Sequence, residues 1–89
     1  IKNILPSKDD SFFDQTLIYP NPLKKQLKIR NAVLDRITIY DTLGKLQKSF
    51  VFLNNTKDHF INLFELYKGV YFVVLENENK MANRKIIID

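Results

Sequence analysis

Cysteine and tryptophan are absent from this 89-residue chain, which holds one histidine, one methionine and two glycines. Without cysteine there are no disulfides and no thiolate metal sites, so neither a disulfide framework nor a zinc finger holds the fold. The single histidine, His59, precedes a short strand with no plausible catalytic carboxylate or nucleophile in its sequence context, so general acid–base work is not expected of it. Asp9, Asp10 and Asp14 lack the glycine and closing glutamate of a calcium loop. No apolar run approaches the roughly 18–20 residues of a membrane-crossing helix. We therefore expect no enzyme, no metal and no cofactor.

What is present is enough for a core. Hydrophobic residues make up 45% of the chain, with seven Phe and four Tyr, more than a disordered tail carries. A chain of this length makes one domain and buries only about 60–65% of its unfolded surface, so its stability is expected to be modest. The net charge of +4 comes from fourteen basic and ten acidic residues mixed along the whole sequence, which does not by itself name a partner. The sequence opens on Ile1 without an initiator Met or a charged-then-apolar leader, and we read it as the C-terminal piece of a longer protein.

Residues 1–16 include the polar stretch Pro6 to Ser11 and then Phe12-Phe13, read as a linker whose phenylalanines anchor it on the domain. Residues 17–89 read as that domain. Leu17-Ile18-Tyr19 is a short strand stopped by Pro20 and Pro22, which lack amide donors. Gln26 to Arg30 and Arg36 to Tyr40 alternate polar and apolar residues, the period of half-buried strands. Asp41-Thr42-Leu43-Gly44 supplies hairpin-turn chemistry, with Asp41 bonding the turn backbone and Gly44 free to take positive φ. On the returning strand Leu46, Phe50 and Phe52 share a face interrupted by Lys48.

His59 to Leu63 is a further short strand, and Phe64 to Gly69 a tight turn whose Leu66 tucks under the sheet. Gly69 is a backbone residue where the chain leaves that turn. Val70 to Leu75, apolar at six successive positions, predicts a central strand covered at least partly on both faces. A turn at Asn77 to Lys80 and a strand from Met81 to Ile88 complete a terminal hairpin. Seven short strands at this spacing predict an all-β fold, a seven-stranded antiparallel β-sandwich of immunoglobulin-like build.

Four signatures occur in order along the chain. They are Tyr19-Pro20-Asn21-Pro22, Tyr40-Asp41-Thr42-Leu43-Gly44-Lys45, Leu66-Tyr67-Lys68-Gly69-Val70-Tyr71-Phe72-Val73 and the terminal Lys85-Ile86-Ile87-Ile88-Asp89. Together they resemble the C-terminal sorting domain of cargo proteins exported by the type IX (Por) secretion system of Bacteroidetes, in its type A form. Asp89 departs from the pattern, since relatives often close on a basic or polar residue. The resemblance implies the same sandwich and a non-catalytic secretion signal that directs an upstream cargo domain of the same chain through the outer membrane. It also implies transit through the periplasm, engagement by the outer-membrane translocon, and cleavage by a sortase-like peptidase, for which Pro6 to Gln15 is the expected region. The cargo is then released or joined to anionic lipopolysaccharide at the cell surface.

For Tyr19, Pro20, Asn21 and Pro22 the residues alone fit either a strand terminator or a pre-ordered recognition knuckle, and the resemblance implies that this motif opens the domain. Lys85, Ile86, Ile87, Ile88 and Asp89 fit either a closing strand or docking by strand addition, and the resemblance implies that this end is read by the export machinery. Asp41, Gly44 and Gly69 are expected to serve turns. Lys24, Lys25, Lys28 and Arg30, with Arg84 and Lys85, fit either a solvated polar face or a basic patch for an anionic partner.

Aromatics do not interleave with these lysines along the sequence, so nucleic acid is not an expected partner. The alternative is a small carbohydrate-binding or fibronectin-like accessory module. The lack of tryptophan argues against it, as does the reading that Phe50, Phe52, Phe60 and Phe72 lie at core phase.

Overall fold

The computed structural model describes residues 13–21, 25–53 and 55–89. Among the described residues seven strands succeed one another: β1 (Leu17–Asn21), β2 (Gln26–Arg30), β3 (Arg36–Asp41), β4 (Leu46–Val51), β5 (His59–Asn62), β6 (Gly69–Asn77) and β7 (Lys80–Ile88). Every pairing is antiparallel, within a three-stranded sheet ordered β1-β2-β5 and a four-stranded sheet ordered β4-β3-β6-β7. This is the seven-stranded sandwich expected from the strand spacing, and its two-sheet layout is consistent with an immunoglobulin-like build.

Alternation along each strand produces the layers. Leu27 and Ile29 of β2 and Ile61 of β5 are buried on one side. Ile37 and Ile39 of β3, Tyr71, Val73 and Leu75 of β6, and Ala82, Ile86 and Ile88 of β7 meet them from the other. Each of the Leu, Ile and Val side chains among them contributes about 1.5–3 kcal/mol by leaving water. Phe13, Leu34, Leu63 and Leu66 close the core from the connections, and the Leu66 amide donates to the Leu63 carbonyl at 2.9 Å in the turn that carries it inward. The core therefore takes in Phe13, ahead of β1, with 1% of its surface exposed.

Val70, Phe72 and Val74 lie on the other face of β6 and are half-buried, so this central strand is covered on both sides as its apolar run predicts. Phe72 is thus on the outer face of the four-stranded sheet, and Phe60 is 59% exposed on the outer face of the three-stranded one. Both depart from the core phase expected of them. Phe60 alternates with the buried His59 and Ile61, and a polar residue holding the inward phase disguises the alternation. Phe50 and Phe52 do pack against the core. Leu46 does not join them, because a bulge opposite Ile39 and Tyr40 shifts the register so that Leu46 pairs with Tyr40 and is 54% exposed.

His59 is a buried polar residue. Its Nε2 donates to the Ala32 carbonyl at 2.8 Å, since a carbonyl only accepts, and its ring lies against Phe52 with centroids 4.5 Å apart. It ties the β2–β3 connection to β5, a structural task. The substitution His59→Leu leaves the Ala32 carbonyl without this donor and is expected to cost about 1–3 kcal/mol. Urea denaturation checks this: the midpoint should fall with an unchanged slope, and an unmoved midpoint would show that the ring does not hold the connection.

Candidate recognition groove

β1 stands at one end of the three-stranded sheet and β7 at one end of the four-stranded one, so among the described strands both are edge strands. Between them opens a groove of about 460 Å³. Thr16, Ile18 and Pro20 line one wall, and Arg84, Lys85, Ile86 and Ile87 the other. Pro20 suits this place because an edge position asks for no amide donor. Arg84 stands opposite Val73 in the ladder, so it takes the inward phase, and its Nη2 donates to the Phe13 carbonyl at 3.4 Å. Inward-pointing charge is a known guard on an edge strand.

The opposite edge of the same sheet carries the same device. Lys48 of β4 pairs with Ile39, faces inward, and bonds the Glu65 carboxylate. That hydrogen bond first, and the lysine charge second, hold the Glu65 carboxyl below its ordinary range.

The two terminal signatures meet at the groove only in part. Pro20 lines it, whereas Tyr19, 44% exposed, points to the outer face of the three-stranded sheet. Asn21 closes β1 opposite Gln26, and Pro22 lies outside the described residues. In the closing strand Lys85 and Ile87 line the groove from outward positions, while Ile86 and Ile88 are buried. Asp89 comes after the strand and is exposed. Thr16 and Ile18 are groove residues that the sequence reading misses, although the phase of Ile18, shared with Pro20, is enough to find it.

The expected basic patch divides. Lys28 lies on the outer face of the three-stranded sheet and Arg30 beside it, ion-paired with Asp58 at 3.6 Å. Arg84 is in the groove, Lys85 faces away from the core, and Lys24 lies outside the described residues.

Among the described residues the sandwich thus presents a shallow groove between strand edges, a build that recognition by strand addition can use. Residues 17–89 match the family described as the secretion system C-terminal sorting domain. The chain belongs to that family, the C-terminal sorting domains of type IX secretion, and so carries a secretion sorting signal. No curated protein matches it.

The second signature builds the β3–β4 turn. Asp41 Oδ1 accepts from the Leu43 and Lys45 amides, both at 2.9 Å, and Oδ2 accepts from Gln47 Nε2 at 2.9 Å. Gly44 donates to the Asp41 carbonyl and takes φ +80°, where a side chain is strained. Gly69 enters β6 at φ +152°. The Lys45 amide bond is the largest cause that lowers the Asp41 pKa from 3.8, aided by the Leu43 and Gln47 bonds and the Lys45 charge against some burial.

A carboxylate with a depressed folded value stabilises fully above its unfolded value and loses that contribution as pH falls through the folded one. Asp41→Asn should therefore lower the urea midpoint at pH 7, and its gap to the parent chain should close as pH drops below 3.8. A gap of constant size down to pH values well below that point would show that the charge is irrelevant to the turn.

Proposed function

We propose that this chain directs an upstream cargo across the outer membrane through the type IX translocon, and that the export machinery reads it at the β1–β7 groove. One observation supports the groove above all: both terminal signatures reach it from opposite ends of the domain, the opening one through Pro20 and the closing one through Lys85, Ile86 and Ile87. As the last strand of its sheet, β7 is nine residues long and suits recognition by strand addition. Ile18, Pro20 and Ile87 give apolar grip beside it, and Arg84 and Lys85 favour an acidic partner segment.

Residues 1–16 are the linker and 17–89 the sorting domain in this reading, with Phe13 fastening the linker's end to the core. A sortase-like peptidase supplies the only chemistry. Because Phe13 is buried, we place the cut between Pro6 and Phe12, on the cargo side of the anchor. The cargo passes through the periplasm and is then released or joined to anionic lipopolysaccharide at the surface.

Truncation of the last residues is a poor test, since it removes Ile86 and Ile88 from the core. The double variant Lys85→Glu, Ile87→Glu alters only outward positions. Fused behind a fluorescent reporter in type IX-competent cells, the parent chain should reach the medium or surface. The variant should be exported at least about tenfold less, the effect of one lost interface hot spot, with an unchanged thermal midpoint. Export equal to the parent would remove the groove from the mechanism. Equal export in translocon-deleted cells would remove the sorting reading itself.

A further inference from the structure

On the outer face of the three-stranded sheet, Tyr19, Lys28 and Phe60 stand opposite one another in register across β1, β2 and β5. Tyr19 is 44% and Phe60 59% exposed, and Lys28 Nζ lies over the Phe60 ring at 5.6 Å from its centroid. The neighbouring row carries Gln26 and Asn62, opposite each other, and beyond them Lys25 Nζ sits 6.0 Å from the exposed Phe64 ring. At the other end of the strands a shallow pocket of about 480 Å³ is lined by Leu17, Arg30, Asn31, Lys57 and Asp58. Aromatic and basic groups thus interleave across the strands although they do not along the sequence.

We infer that this face is a second binding site, for an anionic polysaccharide of the uronic-acid type. Three features select that ligand. The row runs across the sheet with a repeat of about 4.8 Å, close to the advance of one sugar ring along an extended glycan. Tyr19 and Phe60 offer flat apolar surface to the C–H faces of two rings, and Lys28 between them meets a carboxylate. Gln26 and Asn62 carry amides, which suit hydroxyl and carboxylate groups.

Charge complementarity sets the sign. Lys25, Lys28 and Lys57 outnumber the acids here, and Asp58 is engaged with Arg30. Single-stranded nucleic acid fits less well, because it asks for a basic groove that tracks every phosphate, and this face presents separated cations on a sheet surface, with none in the Gln26–Asn62 row. The site lies apart from the groove residues and stands whether or not the groove is the sorting determinant.

Affinity electrophoresis of the 89-residue chain through polygalacturonate, its fully methyl-esterified form and poly(dT) tests the assignment. The expected result is retardation by polygalacturonate alone. The apparent affinity should fall about tenfold in Phe60→Ala and in Lys28→Gln, each the loss of one central contact, and stay unchanged in Lys68→Gln. Both tested side chains are outside the core, and an unchanged thermal midpoint verifies the fold. Equal retardation by the esterified polymer would overturn the charged ligand, and stronger retardation by poly(dT) would hand the face to nucleic acid. An equal loss in Lys68→Gln would reduce the effect to general charge, and no retardation by any polymer would abolish the site.

Discussion

Everything in this molecule depends on one constraint: two sheets must bury alternate residues against each other. The chain has no cysteine for a disulfide, and no metal-ligating cluster occurs among the described residues. The core of Leu27, Ile29, Ile37, Ile39, Ile61, Val73 and Leu75 is correspondingly dry, each with 2% or less of its surface exposed. Small domains bury a smaller share of their surface than large ones, so each of these contacts is a large part of a small total. Loop residues are recruited for the same reason, with Phe13, Leu34 and Leu63 filling the ends of the sandwich.

A sandwich is not a closed barrel, and its sheets leave edges. The four-stranded sheet handles both of its edges with an inward-phase basic residue, Lys48 on β4 and Arg84 on β7. Each charge finds an oxygen near the rim, the Glu65 carboxylate for one and the Phe13 carbonyl for the other. Such residues oppose burial of the edge against an arbitrary neighbouring sheet. Arg84 also shapes one wall of the groove, so protection and recognition fall on the same side chain. A partner that pairs with β7 has to accommodate this charge, which favours specific over general strand addition.

The fold is legible in the sequence because period-2 alternation is stated openly in β2 and β3, and because the Asp41–Gly44 turn announces its own geometry. The family is legible in four ordered signatures. The site is only half legible. Strand alternation sends Tyr19 and Pro20 to different surfaces, so a motif that is contiguous in sequence is divided in space. Lys85 to Asp89 divides likewise, with Ile86 and Ile88 held by the core and Lys85 and Ile87 presented. The departures have physical causes too. Hydrophobicity assigns Phe60 to the core, yet His59 fills the inward position because it finds the Ala32 carbonyl there. Strict alternation assigns Leu46 to the core, and a bulge interrupts it. Cross-strand neighbours such as Tyr19, Lys28 and Phe60 are set by register, which depends on turn geometry and sheet order that no linear pattern displays.

The same alternation explains how so short a strand serves two surfaces. Ile18 and Pro20 of β1 line the groove, and Leu17 and Tyr19 lie on the opposite face, where the interleaved aromatic and basic groups gather. A one-residue slip of β1 against β2 would exchange the two sets and empty both surfaces of their character. Register is pinned where β1 begins: the Thr16 amide bonds the Phe13 carbonyl at 3.0 Å just before the strand, and Asn31 Nδ2, just past the paired end of β2, reaches back to the Gln15 carbonyl at 3.1 Å. Phe13, whose carbonyl takes part in that turn and meets Arg84, is at the same time a core residue. The anchor ahead of β1 is therefore what couples burial in the core to the identity of the side chains that each surface presents.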